Sequence, residues 1–162
     1  MRDRSSSVKP SSSVEVPEDR TNVLFDVWLT SRAVTGLLDA ALASTGLTAD
    51  EFGIYSVLTT TDAMTPSELA RWMSAPATTV SSSIKRLEQR GHLERHRNPD
   101  DGRSIRLGLT PAGRTVHAAA TQAFIPVLEQ VVERLGSRER TVRRALQTLH
   151  AVVDAVGASG DR

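Results

Sequence analysis

Between Ala77 and Gln89 seven polar side chains, Thr78, Thr79, Ser81, Ser82, Lys85, Arg86 and Gln89, are interleaved with Ala77, Val80, Ile84 and Leu87. The apolar four recur at spacings of three and four, so on a helix they form one inward stripe and leave the polar seven on the other faces. Short hydroxyl side chains let a helix sit deep in a groove and bond phosphates or base edges, and Lys and Arg neutralise phosphates. The chemistry on offer is recognition of an anionic, hydrogen-bonding partner, with double-stranded DNA the best fit. A solvated helix face rich in Ser and Thr reads the same way in isolation, so the neighbouring elements decide.

Upstream, Thr65-Pro66-Ser67-Glu68 starts a shorter helix with Pro66 in its opening turn, and Leu69, Ala70, Trp72 and Met73 are expected on its apolar side. Downstream, Gly91 ends the second helix, and His92 to His96 alternates as a strand. Ile105, Leu107 and Leu109 alternate beyond the turn signal Asn98-Pro99-Asp100-Asp101-Gly102. The layout is a helix-turn-helix followed by a β-hairpin, a DNA-reading unit. Ser67, near the start of its first helix, is placed to bond a phosphate. Arg97, Arg103 and Arg106 decorate the hairpin. An arginine held at a rigid hairpin tip can enter a narrow minor groove, a role that falls to Arg103 with Arg97 and Arg106 in support. His92 is expected to cap the strand with little consequence.

The run Asp101-Gly102-Arg103-Ser104-Ile105-Arg106-Leu107-Gly108-Leu109-Thr110-Pro111-Ala112-Gly113 resembles the wing and following helix start of the multiple antibiotic resistance regulator (MarR) family. Ser67-Glu68-Leu69-Ala70 and Leu87-Glu88-Gln89-Arg90-Gly91 fall where that family has its helix-turn-helix and the end of its recognition helix. The layout matches from Val23 to Val156, and the specific motif lies within Ser67 to Gly113. The resemblance implies a mainly α fold with a small β-hairpin wing (α+β). Its winged helix-turn-helix would span residues 48–110, between dimerisation helices at 20–45 and 111–156. It also implies a homodimeric transcription regulator, usually a repressor released by a small ligand, and not an enzyme. In the family a pocket for phenolic or planar aromatic compounds lies between the dimer helices and the winged helix. Trp28 and Tyr55 are the candidates for it, because an indole N–H and a phenol need polar company when buried. For both, ordinary core packing is the competing role.

The formal charge of the 162-residue chain is only +1. Its distribution says more. Residues 1–64 hold five Lys/Arg against nine Asp/Glu, a net −4, whereas residues 65–114 hold nine against five, a net +4. Positive charge is concentrated in the helix-turn-helix and hairpin, as a DNA contact region requires. The absence of cysteine removes disulfides, thiolate metal ligands and thiol-based peroxide sensing. No apolar run spans a bilayer and no signal core opens the chain, so a cytoplasmic protein with no membrane partner is expected. Residues 1–19 read as a disordered arm, and 20–162 as a single domain. No phosphate-cradling glycine loop, nucleophile elbow or paired metal-site histidines are present, so neither an enzyme, a cofactor nor a metal is expected. His92 and His96, four residues apart on a strand, would stand about 13 Å from each other, too far to share an ion.

A helix from Arg20 carries Val23, Leu24, Val27, Trp28, Val34, Leu37 and Leu38 at helical spacings, and Gly46 closes it. Thr48-Ala49-Asp50-Glu51 opens another, Thr110-Pro111 a third, which Pro126 is expected to kink, and Arg138 to Val156 forms the last. The two C-terminal helices have more apolar surface than so small a core covers, and dimerisation would bury it. A two-fold dimer with two winged helices would read an inverted repeat with half-sites about 10 base pairs apart. A winged-helix interaction module and an architectural DNA binder without ligand response are the rival readings. Arg103→Ala is expected to weaken binding to a specific duplex several-fold and leave the dimer intact, as measured by fluorescence anisotropy and sedimentation; unchanged affinity would remove the wing from the interface.

Overall fold

The computed structural model describes residues 22–61, 64–97 and 104–159. The expected arm at 1–19 and the hairpin tip with Arg103 lie outside the described residues. Two compact units divide the chain after Gly36.

The N-terminal unit contains the start of α1 (Val23–Leu42). Asn22 caps it, its Oδ1 accepting the N–H groups of Leu24 and Phe25 at 3.1 Å each. Val23, Leu24, Phe25, Val27, Trp28, Leu29 and Val34 are all exposed on this segment, and Trp28 stacks on Phe25 with ring centroids 5.7 Å apart.

The second unit follows the chain through a short 3₁₀ turn (Ala43–Thr45), α2 (Ala49–Thr60), α3 (Pro66–Trp72), α4 (Ala77–Gln89), β1 (Leu93–Arg97) and β2 (Ile105–Leu109). A long α5 (Pro111–Leu135), a 3₁₀ turn (Gly136–Arg138) and α6 (Glu139–Ser159) complete it. Capping boxes start α2 at Thr48 and α3 at Thr65, where each threonine accepts a backbone N–H and a glutamate three residues on reaches back. Ser74 takes the left-handed conformation (φ 49°) in the turn between α3 and α4, and Gly91 (φ 70°) lets the chain leave α4 for β1.

The strands pair antiparallel from Leu93 opposite Leu109 to Arg97 opposite Ile105. Met64 adds a one-residue bridge to Leu107, which ties the connection between α2 and α3 to the wing. The core gathers Leu42 and Leu47, four apolar residues of α2 with Tyr55, and Leu69 of α3. Val80, Ile84 and Leu87 of α4, Leu93, Leu107 and Leu109 of the hairpin and Ala120 of α5 complete it. Mainly helical, with one two-stranded hairpin, the fold is the α+β winged helix-turn-helix expected.

Three details differ from expectation. Trp72 is 56% exposed instead of packing inward with Leu69, because the seven-residue α3 buries only Leu69. Ala77 is exposed, and Ser83 takes its place on the buried side of α4. His92 is a junction and not a passive cap: its N–H donates to Leu87 O (3.0 Å), its carbonyl accepts from Thr110 N (3.1 Å), and its Nδ1 meets the Tyr55 hydroxyl at 2.8 Å.

No residue of α6 is buried, and Leu128, Val131 and Val132 of α5 with Leu146, Val152 and Val153 of α6 are exposed. None of the described helices is long and apolar enough to cross a membrane.

Close approach at the start of α5 requires a glycine. A Cβ on Gly113 would lie 2.1 Å from the His92 carbonyl oxygen, which neither backbone can accommodate in place. Gly113→Ala should therefore cost about 1–3 kcal/mol, the range for overpacked sites, as read from denaturant melts; full stability would mean that this junction yields easily.

Candidate nucleic-acid interface

Helix α4 carries the candidate contact surface. Burying Val80, Ser83, Ile84 and Leu87 fixes its roll, and the 3.6-residue period then turns Thr78, Ser81, Ser82 and Lys85 outward at relative positions 0, 3, 4 and 7. These four form one exposed stripe, which Thr79, also exposed, flanks. Ser82 Oγ donates to Thr78 O (2.9 Å), which occupies its proton and leaves its lone pairs facing outward. Pro76 precedes the helix and gives it no side-chain cap.

Ser67 is exposed in the first turn of α3. That turn already has an anion. Glu68 Oε2 accepts from Thr65 N (2.7 Å) and Thr65 Oγ1 (2.9 Å), and these bonds, with Arg106 and Arg71 nearby, hold its carboxyl below the usual range. The Ser67 hydroxyl faces solvent beside that carboxylate, so what it can offer a phosphate is its own O–H.

The arginines divide into two groups. Arg97 is exposed at the end of β1. Arg106, half-buried on β2 opposite His96, sits close enough to Glu68 to stabilise its charge. Arg95, which no sequence motif singles out, forms a two-point ion pair with Glu88 of α4. Arg86, expected at the DNA, turns instead toward the protein: its Nη2 donates to Ser83 Oγ (3.1 Å) and its Nε lies 3.7 Å from Glu51 Oε1. Arg90 joins it, with Nη1 donating to Glu51 Oε2 at 3.1 Å. Lys85 points outward from the same helix turn.

Behind α4 the polar contacts continue. Tyr55 is fully buried and its phenol is satisfied by His92, which is the core role that competes with the effector pocket. Burial, reinforced by the Glu51 carboxylate and opposed by Arg90, pushes its pKa up to about 12. Trp28 keeps an exposed face and stacks on Phe25. His117 of α5 stacks on Phe52 (5.6 Å), its Nε2 and Nδ1 each 3.2 Å from the hydroxyls of Ser56 and Thr59; burial lowers its pKa. Among the described residues no group of three or more metal-binding side chains comes together.

Glu51 is the residue that sequence reasoning missed. It was legible as the third position of a capping box. Nothing in the chain order showed that two arginines some forty residues later would converge on it.

Comparison with known proteins bears on the fold. The family model described as "MarR family" matches residues 45–104. An HTH-type transcriptional repressor of Mycobacterium tuberculosis is 29% identical over 113 residues, covering 69% of this chain and 81% of its own. The multiple antibiotic resistance protein MarR of Salmonella typhimurium is 27% identical over 90 residues, 56% of this chain and 62% of its own. Among solved structures, the M. tuberculosis transcriptional regulator MOSR, in complex with DNA, superposes with a TM-score of 0.74 at 24% identity, covering 84% of this chain and 98% of that one. At that identity the shared property is the fold.

Tyr55 is the only tyrosine, so its titration can be followed directly. A folded-state pKa near 12 against 10.0 means that its contribution to stability is complete below pH 10 and is lost as pH rises toward 12. Tyrosinate absorbance should develop about two pH units later in the folded protein than in urea; coincident curves would show that the phenol is not held in the core.

Proposed function

Since the chain belongs to the MarR family of winged-helix transcription regulators, whose members are not enzymes, we propose that it acts in the cytoplasm as a homodimeric repressor on an inverted-repeat operator. The observation that carries this reading is the outward stripe of α4, with three hydroxyls and one ammonium and no carboxylate. Thr78, Thr79, Ser81 and Ser82 would meet base edges and phosphates, Lys85 a phosphate, and Ser67 a flanking phosphate. Arg97 and Arg103 would bring the wing to the minor groove, with Arg106 buttressing its base beside Glu68.

Support for the dimer comes from apolar side chains exposed within α1 and, separately, along α5 and α6. A second copy would cover them, as obligate dimer interfaces do. Release by a small molecule, of phenolic or planar aromatic type, requires that it bind the free and DNA-bound forms with different affinity. Trp28 is the aromatic we assign to that contact once the partner subunit encloses it.

The test is fluorescence anisotropy on a duplex that the protein selects from a randomised pool, against a scrambled duplex, at two salt concentrations. A preference of about a thousandfold or more, with two half-sites about 10 base pairs apart, is expected. Equal, salt-sensitive binding would make the protein architectural, and no binding at low salt would overturn the regulator reading.

A further inference from the structure

We propose that Glu51 is a positioning residue for DNA recognition, one that withholds Arg86 and Arg90 from the phosphates and so leaves contact to the hydroxyl stripe of α4. The inference rests on the DNA-binding reading above and adds a division of labour within it.

The carboxylate is almost wholly buried, its side chain 4% exposed, whereas those of Arg86 and Arg90 are 54% and 41% exposed. It sits in the first turn of α2, where the helix dipole favours an anion, and Oε2 also accepts from Thr48 N at 3.3 Å. Its position is therefore set by α2 and not by the arginines. Both guanidiniums reach it from one edge of α4, a turn apart, and without it two like charges would face each other there. Their heads converge on a point behind the helix, and Arg86 is further held by the buried-face Ser83.

The last turn of α4 is thereby pinned to α2 by charge-assisted hydrogen bonding and charge attraction, which fixes the angle at which the stripe is presented. In addition, Arg86, which sequence alone would assign to phosphates, is turned with Arg90 toward one carboxylate that offsets part of their charge. Phosphate contacts add affinity for any duplex, so withholding them favours discrimination over general adhesion.

Glu51→Gln separates charge from structure, because the amide oxygen can still accept from Thr48 N and preserve the helix cap. Anisotropy against the selected and scrambled duplexes across a salt series reads the effect. In Glu51→Gln the log-log salt slope should steepen by about 0.9 for each arginine freed to a phosphate, an extra loss of roughly three- to fourfold between 50 and 200 mM salt. At low salt the scrambled duplex should bind several-fold more tightly, and the preference for the selected duplex should fall. Arg86→Ala should lower that preference while leaving the slope at its wild-type value. Adding Arg86→Ala to Glu51→Gln should remove Arg86's share of the steepening.

A parallel loss of affinity for both duplexes in Glu51→Gln with an unchanged slope would overturn the proposal, as mere structural damage behaves that way. So would a slope shallower by about 0.9 in Arg86→Ala, the mark of a lost phosphate contact. Arg86→Ala alters an exposed side chain and keeps the proposal falsifiable even if Glu51→Gln fails to fold, which circular dichroism melts would reveal. Failure of the wild-type protein to prefer its selected duplex would instead strike the regulator reading.

Discussion

Burial of one side of α4 is the constraint on which the rest depends. Val80, Ile84 and Leu87 are each at most 2% exposed, and they join α2, α3, the hairpin and the start of α5 in one core. Truncating any one of them would cost about 1–5 kcal/mol, a large share of the stability of a domain this size. A helix that is locked on one side has no freedom over the other. The same packing that stabilises the unit therefore decides which side chains a partner can reach.

Electrostatics then select among the cations. The segment from Thr65 to Arg114 has a net charge of +4, but the positive charge is not equally available. Arg86 and Arg90 are tied to Glu51, and Arg95 to Glu88. Lys85 and Arg97 remain exposed, one on the hydroxyl stripe of α4 and one at the end of β1. A charge tally thus points to the proposed interface but overstates how much of it would be electrostatic. The internal pairs also link α2 to both α4 and, through Tyr55 and His92, to the head of α5.

Much of this is legible in the chain. Capping residues Thr48, Thr65 and Thr110, the left-handed Gly91 and the period of Val80, Ile84 and Leu87 are local signals, and the elements they predict are present. What escapes is long-range. Glu51 meets Arg90 across 39 positions and Tyr55 meets His92 across 37, and no local pattern encodes either. Trp72 is misplaced by its spacing for a related reason: its helix is too short to bury two faces, and helical periodicity alone cannot tell which apolar residue wins. Tyr55 resembles a ligand contact in sequence because a phenol needs a polar partner; in the fold that partner is a histidine of the same chain.

The most direct test of the central claim, that the outward stripe of α4 is the surface that meets DNA, is nuclear magnetic resonance of the labelled protein titrated with its selected duplex. The largest shift changes should fall on Thr78, Ser81, Ser82, Lys85 and Arg97, with little change across Arg140 to Val152 of α6. Changes concentrated on α6, with the stripe of α4 unmoved, would contradict it.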